Sequence, residues 1–130
     1  MQHRTPRLLL AAAAAIFAFG AVMHTLAFVA KASSLISAAN VSHFLGAELK
    51  VLWLADSSTM IALAVICGFI AVRPGTAARS VVMLLALVPT GTALLLYGFL
   101  GTFYAAHMLM SASVLVAVAG FLLPKVPVRS

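Results

Sequence analysis

One stretch constrains the fold of this chain more than any other. Residues 48–72 are apolar enough and long enough to cross a bilayer as a single helix. The first third of the stretch is nevertheless polar, and it contains Glu48 and Asp56, the two acidic residues of the whole chain. Because a carboxylate at membrane depth is costly, its presence there indicates a functional site. We therefore expect a membrane-spanning helix that carries polar chemistry near one end.

The composition of the chain is typical of a membrane protein. Of its 130 residues, 65% are hydrophobic and only 8% are charged, whereas a soluble domain carries roughly 25% charged residues. The length favours a single domain that comprises residues 1–130. The basic residues are scattered singly near the ends of apolar runs and form no patch, which argues against nucleic acid as a partner. The lipid bilayer is the partner that this composition predicts.

Four apolar runs are long enough to form transmembrane helices. They cover residues 8–30, 48–72, 80–97 and 103–123. The predicted fold class is all-α, an antiparallel up-down-up-down four-helix transmembrane bundle. The first run imitates a signal peptide, but it is longer than a typical signal core, so cleavage is the alternative to a retained span. Residues 31–47 are too polar to span, and we expect a loop with an interfacial turn of helix there.

Turn-forming and small residues predict how the last two spans are arranged. Pro89 removes a backbone donor inside the third span, so we expect a kink near it. The short uncharged stretch from Gly98 to Thr102 predicts that the third and fourth spans are antiparallel neighbours. Small residues such as Ala112 and Gly120 allow helices to approach closely in lipid, so we expect them at helix contacts.

The positions of the basic residues predict the orientation in the membrane. If the spans alternate, six basic residues lie on one side, namely Arg4, Arg7, Arg73, Arg79, Lys125 and Arg129. The other side carries only Lys31 and Lys50. Lys and Arg are enriched in cytoplasmic loops, so both termini are expected in the cytoplasm and the protein in the inner (plasma) membrane.

Three polar side chains on three predicted helices fall at a similar depth in the outer leaflet. His24 lies near the outer end of the first span, Asp56 in the polar third of the second, and His107 near the start of the fourth. Turning them inward would remove most of the cost of exposing them to lipid. We therefore predict that they face one another within the bundle.

Further polar residues are expected to surround this group. Trp53 and Tyr104 lie slightly nearer the surface, where amphipathic rings are favoured. Glu48 shares a helix face with Asp56, because Glu48, Leu52 and Asp56 follow one another at steps of four residues. We expect Glu48 and His43 to form the polar mouth of a pocket, and Tyr104 to form its side wall.

Such a group is compatible with several kinds of chemistry. Two histidines with one carboxylate are a ligand set for divalent metals, and two histidines on facing helices can hold a haem iron. The metal ligands would be His24, Asp56 and His107. The same residues can relay protons, since histidine titrates near neutrality. A purely structural hydrogen-bonded group is the remaining alternative.

The sequence favours a binding or accessory module over an enzyme. It contains no phosphate-binding glycine loop, no nucleophile elbow, and only one cysteine, Cys67, so no redox pair. The best interpretation is a small four-span membrane protein whose polar pocket opens toward the outside. The alternative is a metal- or haem-dependent membrane enzyme, or an electron or proton carrier. Other membrane proteins or a second copy of the chain are further candidate partners.

Overall fold

A computed structural model of the chain describes residues 4–73 and 75–124, and these residues form helices and turns without any strand. The helices are α1 (Arg4–Ala27), a π-helical turn (Phe28–Ala32), α2 (Ser33–Ala38), α3 (His43–Val72), α4 (Arg79–Leu85), α5 (Leu87–Leu100) and α6 (Tyr104–Leu122). Some of them join into longer segments. Four helical segments of the described residues are long and apolar enough to cross a membrane: Arg4–Ala38, His43–Val72, Arg79–Leu100 and Tyr104–Leu122. The predicted all-α class and the number of spans are thus confirmed by length and composition.

The first segment is longer than predicted. It contains 35 residues, which corresponds to ~52 Å at ~1.5 Å per residue. Residues 31–38 are helical and α3 begins at His43, so the prediction of a loop over residues 31–47 is wrong apart from the short link between α2 and α3. The serines do not break the helix because Ser34 and Ser37 donate hydrogen bonds to carbonyl oxygens within it.

α1 lies at the centre of the bundle. It packs against α3 on one side and against α6 on the other, and α6 also packs against α4 and α5. Across the bundle the spans therefore follow the order second, first, fourth, third. In the described part of the chain no comparable contact joins α3 to α4 or α5, so the spans form a row whose ends do not meet.

Cross-helix hydrogen bonds show that neighbouring helices run in opposite directions. Nε of Arg7 donates to the carbonyl oxygen of Ala71 at 2.8 Å, which ties the start of α1 to the end of α3. At the other end of the same helix pair, His24 contacts Ser57. The fourth span is likewise antiparallel to the third, because His107 near its start contacts Tyr97, whereas Ser113 farther along contacts the earlier residue Ala86.

The third span is broken where the proline predicts. α4 ends at Leu85 and α5 begins at Leu87, so the break at Ala86 lies about one turn before Pro89. The carbonyl oxygen of Ala86 at the break accepts hydrogen bonds from the hydroxyls of Thr90 at 2.8 Å and Ser113 at 2.9 Å. These hydroxyls supply polar contacts at a point where proline disrupts the regular backbone pattern.

Small residues let α6 approach its neighbours closely. Ala112 is fully buried, and a Cβ atom added to Gly120 would lie 2.8 Å from Cγ of Met83. The turn between α5 and α6 passes through Gly101, whose φ of 68° favours glycine. The predicted pairing of the last two spans is confirmed, and both small residues lie at helix contacts as expected.

Candidate functional site

The candidate site lies at one end of the contact between α1 and α3. The buried positions of α1 recur every three or four residues, from Leu10 through Ala13 and Phe17 to Gly20. The next position in this series is His24, so the helix turns its imidazole toward the same interior face. The apolar contact between the two helices thus ends in a polar group.

His24 is held at both ring nitrogens. Its Nδ1 atom lies 2.9 Å from Oγ of Ser57, within hydrogen-bond distance. Its Nε2 atom lies 3.6 Å from Oδ2 of Asp56, close enough for an ion pair when the imidazole is protonated. The side chains of His24 and Asp56 keep 26% and 37% of their exposure, so the pair is partly open.

Trp53 fixes the plane of the imidazole. The two rings are stacked, with centroids 4.6 Å apart and an angle of 15° between their planes. The indole Nε1 atom also donates to the backbone carbonyl of His24 at 3.1 Å. Phe28 packs against the indole at a centroid distance of 6.3 Å. The position and orientation of His24 are therefore set by α3 and by the residues that follow it on α1.

A π-helical turn follows the site directly. It covers Phe28–Ala32, and such turns are rare and frequently lie at functional sites. In a regular α-helix the interior face would continue from His24 to Lys31 about two turns on. The wider turn instead places Ala32 in a buried position and leaves Lys31 exposed. It keeps a charged side chain out of the contact with α3.

The site lies level with the end of α6. A Cβ atom at Gly20 would lie 2.5 Å from Cε of Met108, so these residues of α1 and α6 are at the same height. His24 is about one turn beyond Gly20, and α6 begins at Tyr104, about one turn before Met108. Of the described residues, those of the hairpin formed by α2 and the first part of α3 extend beyond this level.

His107 does not join His24 and Asp56. Its Nδ1 atom lies 2.7 Å from the hydroxyl of Tyr97, so its partner is on α5. The described residues contain no group of three or more His, Cys, Asp or Glu side chains that can hold a metal ion. The predicted ligand set of His24, Asp56 and His107 is therefore not assembled. The cause is rotation: Ala106 occupies the buried face of α6, and the next residue points about 100° away from it.

Two other predicted site residues also lie elsewhere. Glu48 is exposed on the part of α3 that extends beyond the bundle. Tyr104 is 65% exposed, and its ring packs against Phe103 at a centroid distance of 4.8 Å. The hydrogen bonds, ion pair and ring contacts of the described residues do not join either side chain to His24 or Asp56. Exposed His43 begins α3 and lies farther still along the hairpin.

Sequence reasoning gave too little weight to Ser57. It is 4% exposed and provides the partner for Nδ1 of His24. A detectable signal is its place in the series of buried α3 positions, which continues through Met60, Leu63 and Cys67. A serine in such a series needs a hydrogen-bond partner from the neighbouring helix.

The geometry of the site argues against haem ligation and is compatible with cation binding. Both ring nitrogens of His24 already face partners, so the imidazole has no free position for haem iron without rearrangement. Asp56 has a partly exposed carboxylate beside a fixed imidazole, which suits a small cation or hydrogen-bond donor.

No family model matches this chain, and no curated protein and no solved structure is significantly similar to it.

Proposed function

We propose that this chain is an integral protein of the inner membrane that binds a small cationic ligand from the outer side. Its four spans form an antiparallel up-down-up-down bundle with both termini in the cytoplasm. The ligand site consists of His24, Trp53, Asp56 and Ser57. In this role the chain is a binding or accessory module.

One observation carries the proposal: Asp56 is partly exposed beside an imidazole that is held from several sides. Ser57 and Asp56 face its two nitrogens, and Trp53 covers one ring face. Side chains held in this way lose little conformational freedom when a ligand binds. The chain has two acidic side chains, and among the described residues Asp56 is the one that faces His24.

The position of the site favours binding from one side over transport through the bundle. α6 has 19 residues, or ~28 Å at ~1.5 Å per residue, which matches a hydrocarbon core of ~30 Å. A site level with its end lies at the edge of such a bilayer. Below it the contact of α1 with α3 is apolar, formed by Phe17, Ala13, Met60 and Leu63. This apolar stretch supplies no groups to relay a proton or pass an ion.

The sole tryptophan of the chain makes the proposal directly testable. Trp53 stacks on His24, so its fluorescence reports on the site. The protein in lipid nanodiscs is titrated with small ammonium ions, for which ammonium, ethanolamine and choline are suitable probes. We expect a saturable change in emission with at least one of them.

A matched pair of variants supplies the control. Asp56→Asn removes the carboxylate of the site, whereas Glu48→Gln removes the only other carboxylate, which lies outside it. The change in emission should disappear in the first variant and persist in the second. An equal response in both variants, or no saturable response to any of the three ions, would refute a cation site at Asp56.

A further inference from the structure

The surface of the third and fourth spans carries a second polar pair, independent of the site at His24. The hydroxyl of Tyr97 on α5 lies 2.7 Å from Nδ1 of His107 on α6. The rings meet edge to face, with centroids 5.3 Å apart and planes at 61°. This pair lies in a groove of about 460 Å³ between the two helices.

The volume and lining of the groove are compatible with a small ligand. Its volume falls within the range of ~300–1,000 Å³ typical of small-molecule pockets. Apart from the polar pair and Ser111, its lining is formed by Met110, Val114 and Leu115. Methionine side chains adapt their shape to what they contact. The groove is open along the side of the bundle, so lipid-soluble molecules can reach it.

A count of the polar hydrogens on Tyr97 and His107 predicts how the pair can bind a ligand. A neutral tyrosine and a neutral histidine together carry two polar hydrogens, and their mutual hydrogen bond uses one of them. Whichever ring donates, the pair keeps one hydrogen that it can donate to a ligand oxygen, beside a lone pair that can accept. The hydroxyl of Ser111 is already engaged, since it donates to the backbone carbonyl of His107 at 2.8 Å. Among the described residues the His107 ring has no hydrogen-bond partner other than Tyr97.

The position of the pair further restricts the chemical class of the ligand. His107 lies about one turn inside the start of α6, and Tyr97 about one turn before the end of α5. The groove then continues along the helices toward Val114 and Leu115. Its lining contains no Asp, Glu, Lys or Arg side chain, and His107 is the one basic group in it. A charged headgroup therefore finds no counter-charge there, whereas a neutral acceptor oxygen on an apolar body finds both a donor and apolar walls.

We infer that this groove binds a membrane-dissolved, ring-sized molecule with a carbonyl oxygen, the chemistry of lipid-soluble quinones and ketones. The carbonyl accepts the free hydrogen of the Tyr97–His107 pair. The apolar body lies against Met110, Val114 and Leu115.

The test uses a decyl-substituted benzoquinone as the probe. The whole protein, with ¹⁵N-labelled histidine, is placed in nanodiscs of dialkyl-ether phospholipids, which have no ester carbonyls to compete. The ring signal of His107 is assigned by its loss in His107→Asn. We expect this signal to shift and saturate as quinone is added, while the signals of the other histidines stay in place.

The chain's two tyrosines provide a matched comparison. Tyr97→Phe removes the hydroxyl of the pair, whereas Tyr104→Phe removes an exposed hydroxyl that lies outside the groove. In Tyr97→Phe the free hydrogen is either lost with the hydroxyl or left on an imidazole that no longer has Tyr97 to hold it in place. The quinone content at half-saturation should therefore rise about 5- to 10-fold, as expected for the loss of one hydrogen bond. It should not change in Tyr104→Phe.

Two outcomes would overturn the inference. The first is a His107 signal that does not saturate with quinone, which means that the probe only partitions into the bilayer. The second is equal half-saturation in the two tyrosine variants. A signal that moves when ether lipids are replaced by ester lipids but ignores quinone would assign the groove to ordinary bilayer lipid instead.

Discussion

The indole of Trp53 lies flat on the imidazole of His24, and its Nε1 atom donates to the backbone carbonyl of the same residue. One side chain of α3 thus contacts both the ring and the backbone of a residue on α1. The contact falls where the apolar interface of the two helices ends and the π-helical turn begins. It fixes the geometry of the site, which would reduce the entropic cost of binding for the ligand proposed above.

Removal of the imidazole should change the environment of the indole. In His24→Ala one face of Trp53 loses its cover, so its emission should shift to longer wavelength and be quenched more strongly by acrylamide. His107→Ala removes an identical side chain whose partner is Tyr97 and not Trp53. This control should leave the emission of Trp53 unchanged. Identical spectra for His24→Ala and the unaltered protein would contradict the stacked arrangement.

Coupling between residues should follow the contacts. His24 and Ser57 share a hydrogen bond, so their alanine substitutions should be non-additive by ~0.5–3 kcal/mol in the free energy of unfolding. His24 and His107 have no shared partner, so their double substitution should be additive within ~0.5 kcal/mol. Unfolding in detergent measures both cycles. Strong coupling between the two histidines would restore the sequence-based prediction of one common site.

The structural features that the sequence predicted are those that depend on hydropathy and on depth in the membrane. Apolar runs identified four spans, and the depths of His24 and Asp56 placed these residues together correctly. Depth does not determine rotation about a helix axis. α6 is apolar around most of its circumference, so no clear stripe showed that Ala106, and not His107, faces inward.

Two other features were beyond a reading of the sequence. The extension of α1 through α2 depends on serine hydroxyls that bond within the helix, although serine usually favours caps and turns. The π-helical turn depends on tertiary contact, because its wider spacing places Ala32 against the interior and Lys31 outside. Regular periodicity cannot predict such an insertion.

The close approach at Gly120 should make that position sensitive to a single methyl group. Gly120→Ala would place Cβ 2.8 Å from Cγ of Met83 and 3.1 Å from its backbone nitrogen, so the helices must move apart. We expect a loss of about 1–3 kcal/mol in stability. Gly91→Ala is the control, since nothing lies within 4 Å of the added atom. It should be neutral or stabilising by up to ~1 kcal/mol. Equal thermal stability of the two variants would contradict this packing.

Deletion of Ala30 should convert the π-helical turn into a regular α-helix. Ala32 would then lie seven residues after His24, about two regular turns on, and so stay on the interior face. The hydrogen bond from Nζ of Lys50 to Oγ of Ser37, 2.8 Å in length, should therefore be kept. Amide hydrogen exchange should remain unchanged both in residues 33–50 and in α6. Faster exchange in residues 33–50 would show that the hairpin depends on the π-helical turn itself and not only on the register of the residues after it.

Orientation in the membrane is tested by reporter fusions. Arg7, Arg73 and Arg79 lie at one end of the bundle, where α1 begins and α3 ends, whereas Lys31 and Lys50 lie at the other. Two further basic residues of the predicted cytoplasmic side, Lys125 and Arg129, lie outside the described residues. Because Lys and Arg favour the cytoplasmic side, fusions after Gly75 and after Ser130 should both report the cytoplasm. A fusion at Ser37, at the tip of the hairpin, should report the outside. An external signal at Ser130 together with an internal one at Ser37 would invert the bundle and place the His24 site on the cytoplasmic face.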